Sequence, residues 1–162
     1  MPRVAGVNLV AWLAAAITIY AIGFLIYGVF FGTLWGQQTL LDHGLVTAAK
    51  APSLTSADIA VLTIPGAMEM KLSMSLGAVI ALVTGLGVAI AQKLMKPQSI
   101  LAAIGNGLVL WIGFGATTLA YNVVYASNSP IVLAIDATHL FLDYLIASAV
   151  VFLIDGKALR GS

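Results

Sequence analysis

The chain contains no cysteine. Disulfides, thiolate metal sites and cysteine nucleophiles are therefore excluded, and the redox compartment stays open. Charge is also scarce: 8% of the residues are charged, against about 25% in an average soluble domain. A formal net charge of +1, with no Lys/Arg patch on one face, excludes a nucleic-acid binder. There is no internal repeat. The stretches "GNG" and "GFGA" sit inside an apolar run, without the strand-to-helix setting that a phosphate loop requires.

What the chain does have is hydrophobic residues, 61% of its 162 positions. Runs of about 20 apolar residues are long enough to cross a bilayer as a helix, and four occur, at residues 8–34, 72–92, 100–124 and 131–154. The pattern predicts an all-α polytopic integral membrane protein: one domain over residues 1–162, with four transmembrane helices in a bundle. The first run is longer than the ~7–15 apolar residues of a signal peptide, and reads as an anchor that stays.

Lys and Arg beside the spans set the expected orientation. Arg3, Lys93, Lys96, Lys157 and Arg160 fall on one side, and Lys50 and Lys71 on the other. Both termini are thus expected in the cytoplasm, in a bacterial inner membrane. Trp12 at one boundary, and Trp35 and Tyr125 at the other, fit interfacial aromatic belts. The one longer connection, residues 36–71, lies on the outer face. Its "TSAD" resembles a capping box, with Thr55 and Asp58 opening a short helix that should stop at Ile64, before Pro65. That helix is expected along the membrane surface or over the bundle's outer mouth, as a connector or a lid.

Small residues recur at helix-packing intervals. Gly28, Gly32 and Gly36 form overlapping GxxxG units, and Ser73, Gly77, Ala81 and Gly85 repeat every fourth position. Such stripes let helix backbones approach in lipid, within one bundle or across a homodimer.

Polar residues inside the last run carry the functional signal. Asp136, His139 and Asp143 stand at i, i+3 and i+7, on one helix face. At a rise of ~1.5 Å per residue, Asp143 lies about 18 Å into its span, near the bilayer centre. A charged Asp there costs about 2.5 to 3.5 kcal/mol on the insertion scale, and no Lys or Arg lies within any span. Asp143 is therefore expected to face the interior and to bond His139 or a hydroxyl. Intramembrane acids of this kind mark proton, ion or ligand sites.

Partners for the acids are sought on the other spans. The third carries Trp111, Gly115, Thr118, Asn122 and Tyr125 on one stripe, and the first carries Tyr20, Phe24, Tyr27 and Phe31. Glu69, Lys71 and Ser73 stand at the outer end of the second. Together they suggest an outward-facing polar pocket floored by Asp143; the plainer alternative is a polar network that only fixes helix register. Met68, Met70 and Met74 with His139 offer thioethers and an imidazole suited to Cu(I), although Met is a common apolar filler. Copper is the weaker reading of these residues, and no cofactor is predicted.

The segments "FLIYGVFFGTLWG", "MEMKLSMSLGAVIALV", "LVLWIGFGATTLAYNVVYASNSP" and "LAIDATHLFLDYLIASAV" resemble the bacterial family called domain of unknown function 1761. The resemblance covers most of the chain and implies a small four-helix membrane protein, without supplying an activity. The family pattern places an Asn-like residue around Asp136 and no acid at Asp143. The resemblance therefore does not carry a site built on both acids.

Three function classes follow. The first is a protein that binds or transports a proton, cation or small amphipathic ligand, using Asp136, His139, Asp143, Thr118, Asn122, Tyr27, Tyr20, Glu69 and Lys71. The second is an accessory or assembly subunit of a larger membrane complex. The third is an intramembrane enzyme, for which no G-x-S-x-G elbow is present and no catalytic residue is assigned. Membrane lipids are partners in all three.

Overall fold

A computed structural model describes residues 2–62, 70–126 and 129–160. Four of its helical stretches are long and apolar enough to cross a membrane: Leu9–Phe30, Leu72–Met95, Ile100–Tyr125 and Pro130–Lys157. A small element precedes them. Strands β1 (Arg3–Val4) and β2 (Val7–Asn8) pair antiparallel about a tight turn in which Ala5 and Gly6 both have positive φ. Two such residues in succession suit a two-residue hairpin loop. Asn8 then caps helix α1 (Leu9–Gly23), its side-chain oxygen accepting the Val10 amide.

The first span does not continue as a regular helix to residue 34. Its last turns, Phe24–Phe30, are π-helical, and Phe31, at φ −122° and ψ 4°, breaks the chain direction. Gly32 follows in close contact with the Tyr27 carbonyl, where a side chain would collide. A separate helix α2 (Gly32–Asp42) begins there. A 3₁₀ turn (Ala51–Ser53) and helix α3 (Ser56–Val61) fold back on it: Gln37 donates to the Leu54 carbonyl, and Thr33 bonds Ser56. The Thr55–Asp58 capping box forms, and the short helix ends at Val61, before Ile64 and Pro65, which lie outside the described residues.

Helix α4 (Met70–Met95) packs on α1. The approach is close because Gly85 has no side chain: a Cβ there would fall 2.9 Å from the Ala16 backbone nitrogen. Ala81 is buried in the same contact and Gly77 faces Tyr20. The third span consists of α5 (Ile100–Leu110), a second π-helical stretch (Trp111–Ala116) and α6 (Thr117–Ala126). Ser99 caps its start by accepting the Ala102 amide.

The last helix, α7 (Pro130–Arg160), lies against α1, α4 and α5. Gly107 brings α5 onto it, since a Cβ there would meet the Tyr144 carbonyl oxygen at 2.5 Å. Small residues thus do for spans one and two, and three and four, what bulky side chains do in a soluble core. The principal apolar cluster combines Val7, Ala15, Ile19, Ala81, Val88 and Val151, among others. A second one, Ile22, Ile26 and Ile135, lies beside the acids.

Candidate functional site

Helix α7 supplies Asp136, His139 and Asp143 in one column, and the break after Phe30 brings their neighbours to them. The Tyr27 hydroxyl, from the π-helical end of the first span, donates to Asp136 Oδ1 at 2.7 Å. The indole of Trp35, on α2, donates to the same oxygen at 3.2 Å. The two rings meet edge to face, with centroids 5.6 Å apart. Asp136 is therefore held by two neutral donors, in an arrangement that exists only because α2 turns back over the first residues of α7. A second tie fixes that return: Asp42 on α2 accepts the Ser129 amide at 2.8 Å, and Ser129 in turn receives the Ile131 amide.

One turn further along, His139 lies edge to face with Tyr27, centroids 5.0 Å apart. Its Nε2 is 3.1 Å from Asp143 Oδ2. The separation is that of an ion pair, but the angle does not meet hydrogen-bond geometry, and His139 Nε2 and Asp143 Oδ1 have no hydrogen-bond partner among the described residues. The two groups are therefore in contact without being joined by a hydrogen bond. Gly23 makes room for the imidazole, because a Cβ on it would reach Nε2 at 3.1 Å. Asp143 is 1% exposed, and no Lys or Arg pairs with it among the described residues.

Space beside the acids is small. A cavity of about 10 Å³ is lined by Leu119, Asn122, Val123, Val132, Leu133 and Asp136. That is about one water-sized probe sphere, far below the ~300 Å³ at which small-molecule pockets begin. Among the described residues no group of three or more His, Asp or Glu could hold a metal ion.

The predicted site residues separate. Asp136, His139, Asp143 and Tyr27 come together. Asn122 reaches the rim of the small cavity, but Thr118 is exposed on the far side of α6. The cause is the π-helical stretch, which adds a residue to the turn and advances the face toward α7 from Gly115 to Leu119 and Val123, instead of Thr118 and Asn122. On the first span the aromatic stripe likewise turns outward: Phe24 and Phe31 are exposed, and Tyr20 directs its hydroxyl to the Met74 carbonyl at 3.4 Å.

Met68 and Glu69 lie outside the described residues, as do the side chains of Met70 and Lys71. Met74 is exposed, while His139 Nε2 is turned to Asp143. In the first glycine stripe, Gly36 receives Ile59 of α3, and Gly28 lies exposed against its own neighbour Phe24. That stripe serves the α2–α3 fold-back more than span-to-span packing.

Sequence reasoning gave Trp35 a boundary role and missed its bond to Asp136. The available signal was its indole N–H, which needs an acceptor wherever water is excluded. A second buried acid was also missed. Asp155, near the other end of α7, accepts from Arg3 at 3.2 Å and from Asn8 at 3.5 Å, tying the N-terminal hairpin to the last helix. Nearby, Gln92 donates to the Ala103 carbonyl and accepts from Asn106, joining α4 to α5.

These features define a helical protein of membrane-spanning composition with a buried acid–imidazole column. A family model described as "Protein of unknown function (DUF1761)" matches residues 10–152, and the chain belongs to that family. No curated protein and no solved structure matches it.

Proposed function

We propose that this chain is a polytopic inner-membrane protein of bacterial type, a four-helix bundle with both termini cytoplasmic, that takes up a proton at His139 and Asp143. The observation behind the reading is the 3.1 Å approach of His139 Nε2 to a carboxylate that is 1% exposed. A lone carboxylate at that depth would be costly. A histidine and a carboxylate holding one proton between them are together neutral and need no further counter-charge. Asp136, satisfied by Tyr27 and Trp35, is the relay toward the α2–α3 end, and the water-sized cavity beside it is large enough for a proton carrier and too small for an amphipathic ligand.

The test is proton uptake after a pH jump across the range in which histidine changes charge, about pH 5 to 8. Wild type should take up one proton per chain more than the His139→Gln, Asp143→Asn double variant; equal uptake would remove the proposal. The orientation has its own check. Cysteine at Ser53, an exposed position beside α3, should react with an impermeant reagent on intact cells, and reaction only after lysis would reverse the topology.

A second reading has one observation in its favour. Thr118, Tyr121, Asn122 and Tyr125 are exposed on α6, and polar groups facing lipid favour a protein neighbour. An assembly subunit would use this face, because the acids are covered from within the chain. Crosslinking from Asn122→Cys to a second polypeptide would support it, and labelling by lipid probes alone would count against it.

A further inference from the structure

Helix α4, the third span and α7 border an open cavity of about 240 Å³, lined by Thr84, Gly87, Val88, Leu110, Phe114 and Tyr144, the last of which follows Asp143 in the chain. Its depth follows from the helical rise of ~1.5 Å per residue: Thr84 stands about 18 Å from the start of its span, and Tyr144 about 21 Å from the start of α7. Both lie near the middle of an ~30 Å hydrocarbon layer. Phe114, at the rim, is 65% exposed. The cavity therefore opens toward lipid and not toward either aqueous face.

The cavity carries two hydroxyls. Thr18, Thr117 and Thr138, elsewhere on the spans, each donate to the carbonyl four residues earlier, whereas the Ser148 hydroxyl, buried on α7, has no partner among the described residues. Tyr20 and Tyr27 each find an acceptor. Thr84 and Tyr144 have no hydrogen-bond partner among the described residues, and neither oxygen is sealed from the surface. At mid-membrane no water is at hand to satisfy them. An acyl chain, which has no acceptor at that depth, would leave both unsatisfied.

We infer that this cavity binds a lipid-soluble compound with a single ring bearing a carbonyl oxygen, which enters from the bilayer and accepts from Thr84 and Tyr144. The volume fits one ring: an apolar cavity of about 150 Å³ takes benzene, and drug-sized ligands need about 300 Å³ or more. Phe114 and Tyr144 provide aromatic walls for the ring. Gly87 is exposed at the cavity's edge, and a Cβ there would meet nothing within 4 Å, so a larger side chain can fill the space without moving a helix.

The probe is 4-hexylacetophenone, titrated into the full chain in lipid nanodiscs, with its carbonyl stretch followed by infrared spectroscopy. The expected result is one saturable site per chain with a carbonyl band shifted to lower frequency than in empty nanodiscs. Gly87→Leu should remove the site while leaving the thermal unfolding of the protein unchanged. Thr84→Val with Tyr144→Phe should keep the cavity, erase the band shift and weaken binding at least tenfold, the loss expected from hydrogen bonds of ordinary strength. Three results would overturn the inference: partitioning no different from empty nanodiscs, binding insensitive to Gly87→Leu, or displacement of the ketone by decane as readily as by a second ketone.

Discussion

Asp143 and Asp155 are the same residue type on the same helix, both buried, and they are kept in opposite ways. Asp155 has Arg3 at 3.2 Å and Asn8 at 3.5 Å, so its charge is answered from the N-terminal hairpin. Asp143 has an imidazole at 3.1 Å and one oxygen with no hydrogen-bond partner among the described residues. An acid with a permanent cation fastens two parts of the chain. An acid facing only a titratable ring has no fixed counter-charge. Under the proposed proton uptake the first is a structural aspartate and the second a working one, a distinction that burial alone does not draw.

The comparison can be sharpened through the donors around Asp136, where the largest stability effect is expected. Tyr27→Phe keeps the ring contacts with Trp35 and His139 and removes only the hydroxyl. It should cost about 1–2 kcal/mol, as a hydrogen bond to an acid in a membrane protein, measured by reversible unfolding. In a double-mutant cycle with Asp136→Asn, the coupling should account for most of that cost. No coupling would mean that the Tyr27–Asp136 bond carries none of the site's stability.

At the other end of α7 the effect should be smaller and should depend on salt. The Arg3 side chain is 43% exposed, so Asp155→Asn is expected to cost less than about 1 kcal/mol, with the cost shrinking as ionic strength rises. The Tyr27 effect should not respond to salt. If it were the salt-sensitive one, the assignment of a neutral-donor end and an ion-pair end would be inverted.

The smallest effect concerns Asp58, a carboxylate outside the spans. The hydrogen bonds from Thr55 hold its pKa below the ordinary value of 3.8. A lowered folded value means that its contribution is present above about pH 4 and is lost as pH falls through the folded value. Amide exchange in α3, corrected for intrinsic rates, should speed up below pH 3.8 in wild type and not in Asp58→Asn. Equal acceleration in both would show that the capping box does not hold the helix.

How far the sequence could be read depends on which forces act within one element. The four spans were legible from hydropathy, and the Thr55–Asp58 cap from spacing, because both are local. The alignment of Asp136, His139 and Asp143 was legible because it needs only one helix. Their neighbours were not. Thr118 was assigned to the site by a period of 3.6, and the π-helical stretch Trp111–Ala116 shifts that register. Trp35 was placed at a membrane boundary because hydropathy runs without interruption past Phe31, whereas the backbone breaks there and starts α2. Asp155 looked like an ordinary residue beyond the end of a span, since its partner lies 152 positions away in the chain.

The central claim is that the Asp143 carboxyl exchanges a proton with its surroundings while Asp155 does not. Infrared difference spectroscopy between about pH 5 and about pH 8, the window of histidine titration, reads that directly. The account predicts a protonated-carboxyl band that disappears in Asp143→Asn and persists in Asp155→Asn. A band that survives Asp143→Asn, or one lost in Asp155→Asn, would contradict it.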